Sequence, residues 1–428
     1  MLGYSWQLKL RLLFKDYFRD DSVRGVAEAV IFGFKEDLNE DWLKAFSKTG
    51  TIHVLAVSGL HVGIIYVLMS FLLGMQKSRG TSLVVKSAVI LLVLFLYALL
   101  TGFSPSVSRA SIMFGTVIIG NSFNRKSSIY NSLSLACFIL LLINPLNIYN
   151  VGFQFSFIAV LGIVYFKDDV RRLFPDSNYF FDKVFILMSV SIAAQIATFP
   201  LGLFYFHQYP NLFMFSNLIV IPCISIVLYL GIAFIFIVQL SSSLGEVISD
   251  VIGIYIQFIA DSVKSIQNIP FAFFEGVYIT TTQMILLYLL IIIVSLSIKY
   301  KWKSGLMYTV MCVVIFIVND WVYLNKVRQN EVVVFDAGKE LLIGFKRNNH
   351  MNFLTSDNLL KDEKKMEYIV KPYLIANRLN RQYSIFPASL LHTNVNLVNI
   401  KLLGNEVVWF DNHAYKLNTD ICEIKKYK

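Results

Sequence analysis

The sequence predicts a polytopic α-helical membrane protein of about ten spans, followed by a small β-rich C-terminal extracytoplasmic domain. Three observations predict it. Of 428 residues, 56% are hydrophobic and 15% charged, and mean hydropathy is +0.61, too apolar for an ordinary soluble domain. After Thr51, apolar runs near the length that crosses a bilayer, about 20 residues, follow one another. Those runs, such as 83–100, lack the two-residue alternation of a membrane-barrel strand.

Residues 1–50 hold eight basic and eight acidic residues and read as an amphipathic helical segment, with turn signals at 33–37 and 49–50. In "SWQLKLRLLFKDYF", Trp6, Leu10, Leu13 and Phe14 share one face. This face suits an interfacial helix and equally a helix packed on the rest of the protein. No cleavable signal pattern is present.

Residues 51–323 form the expected transmembrane core. Spans are expected at 52–74, 83–101, 106–122, 128–143, 149–166, 184–205, 213–239, 247–267, 280–298 and 305–323. The fourth is short and polar and the eighth amphipathic, so each reads as either spanning or re-entrant. Pro200 and Pro222 are expected to kink or break their helices.

Loops near 75–82, 123–127, 167–183 and 299–304 carry Lys77, Arg79, Arg125, Lys126, Lys167, Arg171, Arg172, Lys183, Lys299, Lys301 and Lys303. The alternate loops, near 102–105, 144–148, 206–212 and 268–279, carry neither Lys nor Arg. Basic loops stay cytoplasmic. With ten spans, both termini then face outward in a multi-pass membrane protein.

Residues 324–428 change character. "EVVVFDAGKELLIGF" reads as two strands joined by a Gly turn, and "GNEVVWFDN" as another strand. His350, His392 and His413 are isolated, without the clustering that a hydrolytic metal site needs. Asp336 and Asp411 read as turn residues. No cofactor, metal or catalytic residue is expected in the chain. No phosphate-cradling Gly-Lys loop occurs, which excludes ATP hydrolysis of that kind. Cys137, Cys223, Cys312 and Cys422 include no close pair and indicate neither disulfides nor a metal site.

The distribution of charge restricts function. Between Thr51 and Phe166 there is no Asp or Glu, yet the stretch holds Lys77, Arg79, Lys86, Arg109, Arg125, Lys126, His53 and His61. Loop orientation accounts for most of the lysines and arginines. Arg109, His53 and His61 are left, without a carboxylate to neutralise them. Charges inside a membrane are costly and usually functional. This set suits an anionic cargo better than a proton or a metal cation.

Four motifs carry the polar groups. In "HVLAVSGLHVG", His53 and His61 are eight apart, about 12 Å along a continuous helix, too far to chelate one metal. Ser58 and His61 share a face. Gly59 and Gly63, with Ala56, form a small-residue ridge. The motif reads either as a tight helix contact or as a polar stripe facing cargo. In "GFSPSVSRASIM", Ser104, Pro105 and Ser106 mark a helix start and Arg109 follows one turn inside. It reads as an anion ligand or as a snorkelling side chain. "GFQFSF" offers Gln154 and Ser156, about 200° apart on a helix. The stretch 194–222 offers Gln195, an aromatic belt and Asn217 between Pro200 and Pro222.

These motifs, in this order, resemble the membrane core of the ComEC family of competence proteins, the DNA-internalisation channels of natural transformation. The resemblance covers about residues 22–320. It implies that the chain passes one DNA strand across the inner membrane, and it places His53, Ser58, His61, Arg109, Gln154, Gln195 and Asn217 on motif positions. It also implies as partners single-stranded DNA, a cytoplasmic helicase-type ATPase and an extracytoplasmic DNA receptor. Membrane lipids surround the spans, and a homo-oligomer is left open. Longer members begin with further spans and an outward OB-type region, and many end in a metallo-β-lactamase-like domain. "EVVVFDAGKELLI" resembles the start of such a domain, but its His-x-His-x-Asp-His run is absent, so a short form is expected. A carrier of another anion is the alternative, and a membrane-anchored nuclease the weaker one.

Overall fold

In the computed structural model, three helices precede the apolar core: α1 (Leu2–Tyr17), α2 (Asp21–Ile31) and α3 (Glu40–Lys48). The apolar stretches then all fold as helices: α4 (Gly59–Leu72), α5 (Thr81–Leu100), α6 (Pro105–Ser122), α7 (Ile129–Ile143), α8 (Val151–Arg171), α9 (Tyr179–Phe206), α10 (Phe213–Ile237), α11 (Ser242–Gln267), α12 (Thr281–Tyr300) and α13 (Gly305–Val327). The structure describes residues 2–34, 36–55, 57–75, 80–122, 128–338, 340–379 and 383–387, and the backbone of short strands between 396 and 426; side chains are described from Gln7 to Pro387. Ala56, Lys77, Arg79, Arg125, Lys126, His392, Asp411 and Cys422, with the side chain of His413, lie outside the described residues.

Among the described residues seven helices, α5 and α8 to α13, are long and apolar enough to cross a membrane. Helices α4 and α7 are apolar but shorter, at 14 and 15 residues. Helix α6 has 18 residues but a more polar sequence, with Ser106, Ser108, Arg109 and Ser111 in its first half.

The first expected span is corrected. Residues 52–54 form a 3₁₀ turn, and the helix starts only at Gly59. Ser58 is extended (φ −125°, ψ 177°), its hydroxyl accepts from the Leu60 N–H, and His61 closes a capping box. Pro200 and Pro222 do not break α9 or α10, which run through them. A proline forfeits one backbone bond, a loss that neighbouring groups make good inside helical membrane bundles.

Contacts divide the chain into two units. One comprises residues 1–201 and 208–274, the other 202–207 and 275–428. In the first, α1 packs on the apolar helices rather than standing apart. Gln7 Nε2 donates to the Leu100 carbonyl (2.9 Å), and Phe14, fully buried, meets Phe18, Phe32 and Phe234. Helix α2 is interior, with Ala27, Ala29 and Val30 completely buried. Asp20 caps it through the N–H groups of Ser22 and Val23.

The second unit contains a four-stranded sheet of β1 (Glu331–Val334), β2 (Leu342–Arg347), β3 (His350–Thr355) and β4 (Tyr383–Pro387) in sequence order. The first three strands are antiparallel and β4 is parallel to β3. That parallel step requires a crossover, supplied by α14 (Asp357–Lys361) and α15 (Glu363–Ala376). Met366, Val370 and Leu374 of α15 bury against Met351 and Phe353. The turn expected between the first two strands forms at Gly338 (φ +77°), whose N–H is accepted by Asp336. The sheets agree with the β-rich reading of this region, and the two helices add to it. Pro372 lies inside α15, which keeps Met366, Val370 and Leu374 on one buried face. A five-stranded antiparallel backbone sheet follows, from Asn396 to Lys426.

Candidate anion site at the helix entrances

Helices α4 and α6 run side by side in the same direction. Ser106 Oγ donates to the Val57 carbonyl (2.6 Å). A Cβ on Gly59 would stand 3.7 Å from that of Ala110, and one on Gly63 would stand 3.1 Å from Phe114 Cζ. The step of four on each helix fixes their common direction and shows what the glycine ridge does: it lets α6 approach. The chain entering α4 also lies at the start of α10, where a Cβ on Gly50 would meet Pro210 Cγ at 2.7 Å and Phe213 Cβ at 3.2 Å. Parallel helices whose first turns are adjacent add their partial positive charges.

Ser58 and His61 come together as the shared face predicted, but as a helix cap. The Ser58 N–H donates to His61 Nδ1 (3.1 Å), and Ser58 Oγ lies 3.1 Å from the same nitrogen. An Nδ1 that accepts leaves the proton of a neutral imidazole on Nε2. His61 is completely buried, and its Nε2 has no partner among the described residues. His53 is set apart. It lies in the 3₁₀ turn, exposed, with Nδ1 3.1 Å from the Gly50 carbonyl, so the axial spacing computed for one helix does not apply.

Arg109 is 8% exposed. Its Nε has no partner, and no hydrogen bond or ion pair to its guanidinium occurs among the described residues. Its reach is not toward the start of its own helix but toward that of α8. Nη2 lies 3.4 Å and Nη1 3.8 Å from where a Cβ of Gly152 would stand. Asn150 caps that helix by accepting from the Phe153 N–H (3.1 Å), while the N–H groups of Val151 and Gly152 have no acceptor among the described residues.

Of the remaining predicted residues, Asn217 is in the second turn of α10, 8% exposed, with Oδ1 unpartnered. Gln154 Nε2 donates to the Ile148 carbonyl (2.8 Å). Gln195 sits half-buried in the middle of α9. Pro105 opens α6. Gly152 and Asn150 are the residues that motif reading passed over, and Ser106, read there only as a helix start, also ties α6 to the entry of α4. The signal for the first two was an Asn just before a helix with Gly in its first turn. Among the described residues, no group of three or more His, Cys, Asp or Glu is placed to hold a metal ion.

Buried donors without acceptors cost free energy of about 1–3 kcal/mol each, and more when charged. Arg109 and His61 Nε2 bear that cost at one end of parallel helices, in a stretch without carboxylates. The arrangement can accept a negative group.

Residues 30–301 match the family model described as Competence protein. The chain is 26% identical over 326 residues to ComE operon protein 3 of Bacillus subtilis (strain 168), a match covering 75% of this chain and 40% of that protein. It is 36% identical over 156 residues to an uncharacterized protein of Aquifex aeolicus (strain VF5), covering 35% of each. The chain therefore spans well under two thirds of either relative. No solved structure matches it.

Proposed function

The chain belongs to the Competence protein family, and from that premise we propose that it lines the path by which a single DNA strand crosses the bacterial cytoplasmic membrane. The observation that carries this reading is Arg109, a buried cation without an anion, in a segment from which acids are missing. Each nucleotide brings one negative phosphodiester. A passing strand satisfies Arg109 and the neutral Nε2 donor of His61, then leaves, because no fixed carboxylate has to be displaced and, among the described residues from 51 to 166, no second buried lysine or arginine holds it.

On this reading the entrances of α4, α6, α8 and α10 face outward, as do both termini, and the basic loops face the cytoplasm. The path supplies no catalysis. A cytoplasmic helicase-type ATPase pulls the strand, and an extracytoplasmic receptor delivers it. Uptake of labelled DNA by cells carrying Arg109→Gln tests the reading. Uptake falls while the protein stays at its normal level; undiminished uptake removes Arg109 from the path. A reporter fused after Lys428 tests the orientation, with activity outside the cytoplasm expected.

A further inference from the structure

We propose that Arg109 and the first turn of α8 form a cradle for one backbone phosphodiester of DNA, kept open by Gly152. This rests on the reading above and specifies where in the path a phosphate is held and by which groups.

A guanidinium at the N-terminus of a helix meets the positive end of its dipole. Arg109 stands in that unfavourable place relative to α8, 92% buried by its 8% exposure, and without a counter-ion among the described residues. An anion between the two removes both costs, since helix N-termini and arginines each bind phosphate oxygens. The free N–H groups of Val151 and Gly152 supply the second set of donors, because Asn150 occupies only that of Phe153.

Glycine at 152 fits this role. A methyl group there would lie 3.4 Å from Arg109 Nη2 and 3.2 Å from Asn150 Oδ1, filling the space between guanidinium and helix end. One positive charge with neutral donors matches a monoanion, which a phosphodiester is and a phosphate monoester at neutral pH largely is not. Phospholipid headgroups share that chemistry. Arg109 is buried, but Gly152 and Asn150 are exposed and Val151 half-buried, so the cradle opens at the surface; DNA is favoured by the path reading above, and the lipid arm of the test separates the two sources.

The test uses the full chain in phosphatidylcholine nanodiscs and a fluorescent oligothymidylate, which offers phosphates without base pairing. Arg109→Gln weakens binding at least tenfold and lowers the salt slope by about 0.7, the contribution of one single-strand phosphate. Gly152→Ala weakens binding several-fold. Val151→Pro does so too, by deleting one N–H at a position where proline suits a helix start and where the preceding Asn150 (φ −75°, ψ 118°) already has the extended backbone a proline requires. Because this variant keeps Gly152, it decides the matter if Gly152→Ala misfolds. Neutral methylphosphonate linkages erase the differences between the wild type and these variants.

If Arg109→Gln weakens binding while folded Gly152→Ala and Val151→Pro match the wild type, the cradle is wrong and the path reading stands. If none of the three alters binding, both fall. Arg109-dependent retention of phosphatidylglycerol, without oligonucleotide binding, assigns the cradle to lipid and overturns the proposal.

Discussion

Arg109 and Arg378 are both enclosed arginines, yet their surroundings are opposite. Arg378, 31% exposed, grips Asp320 with two nitrogens, one bond measuring 3.1 Å from Nη1 to Oδ2, while Gln283 Nε2 adds a third donor to the same carboxylate at 2.9 Å. Nearby in the same unit, Lys346, 2% exposed, reaches Glu331 at 2.8 Å and Asn377 at 2.6 Å. Arg109 is more buried than Arg378 and has no such partner among the described residues. A fold that needs a buried charge for its own stability supplies the counter-charge. A buried charge left unpaired at converging helix ends is, on the function proposed above, kept for an anion that arrives from outside.

The largest expected effect breaks this comparison at its centre. Arg109→Met removes a charge that contributes nothing to the resting fold, so thermal stability in detergent stays level or rises. DNA uptake drops on the order of 100-fold, the value of one charge-assisted hydrogen-bonding group of about 1.5–3 kcal/mol. A fall in stability together with activity would make Arg109 a structural residue. Arg378→Met, by contrast, leaves Asp320 with Gln283 as its remaining donor and no counter-charge, and costs about 1–3 kcal/mol of stability, less than a fully buried pair because Asp320 is 28% exposed. Equal stability losses in the two variants would erase the distinction between a paired and a waiting arginine.

This contrast was only half legible beforehand. The acid-free stretch and the position of Arg109 stand in the sequence, and each apolar run folds as a helix because about 20 apolar residues have few other ways to satisfy their backbone. The interruption before Gly59 was not legible, since "VLAV" continues the apolar run up to Ser58 and only the extended backbone of Ser58 shows the break. Serine with glutamate three residues on is the usual box, and here His61 takes that place. The Asp320–Arg378 pair joins residues 58 apart. The approach of Arg109 to Gly152 joins two helices whose pairing no periodicity encodes.

The break itself can be probed with a smaller effect. Ser58→Ala removes the hydroxyl that accepts from Leu60 and meets His61, and it costs about 1 kcal/mol. Ser58→Gly costs only a few tenths more than the wild type, because glycine also tolerates the cap position. If both variants were silent, the cap would not be what sets the start of α4, and His61 would owe its orientation to packing alone.

The smallest effect tests the paired side of the comparison by pH. Burial pushes the Glu331 carboxyl up, but hydrogen bonds from Lys346 and Tyr373, together with the Lys346 charge, outweigh it and hold the group below its ordinary value of 4.5. A carboxylate whose pKa is depressed by folding stabilises the fold above its unfolded value and loses that contribution as pH falls through the lower, folded one. Stability of the sheet unit therefore declines below about pH 4.5, and Glu331→Gln removes that part of the decline. Glu331 is 45% exposed, so solvent screening keeps the contribution under about 1 kcal/mol. Unfolding followed by tryptophan fluorescence from pH 6 to about pH 3.5 reads it. An acid profile unchanged in Glu331→Gln would mean that Lys346 is held by Asn377 and packing instead, and that the second unit's matching of charges is looser than its geometry.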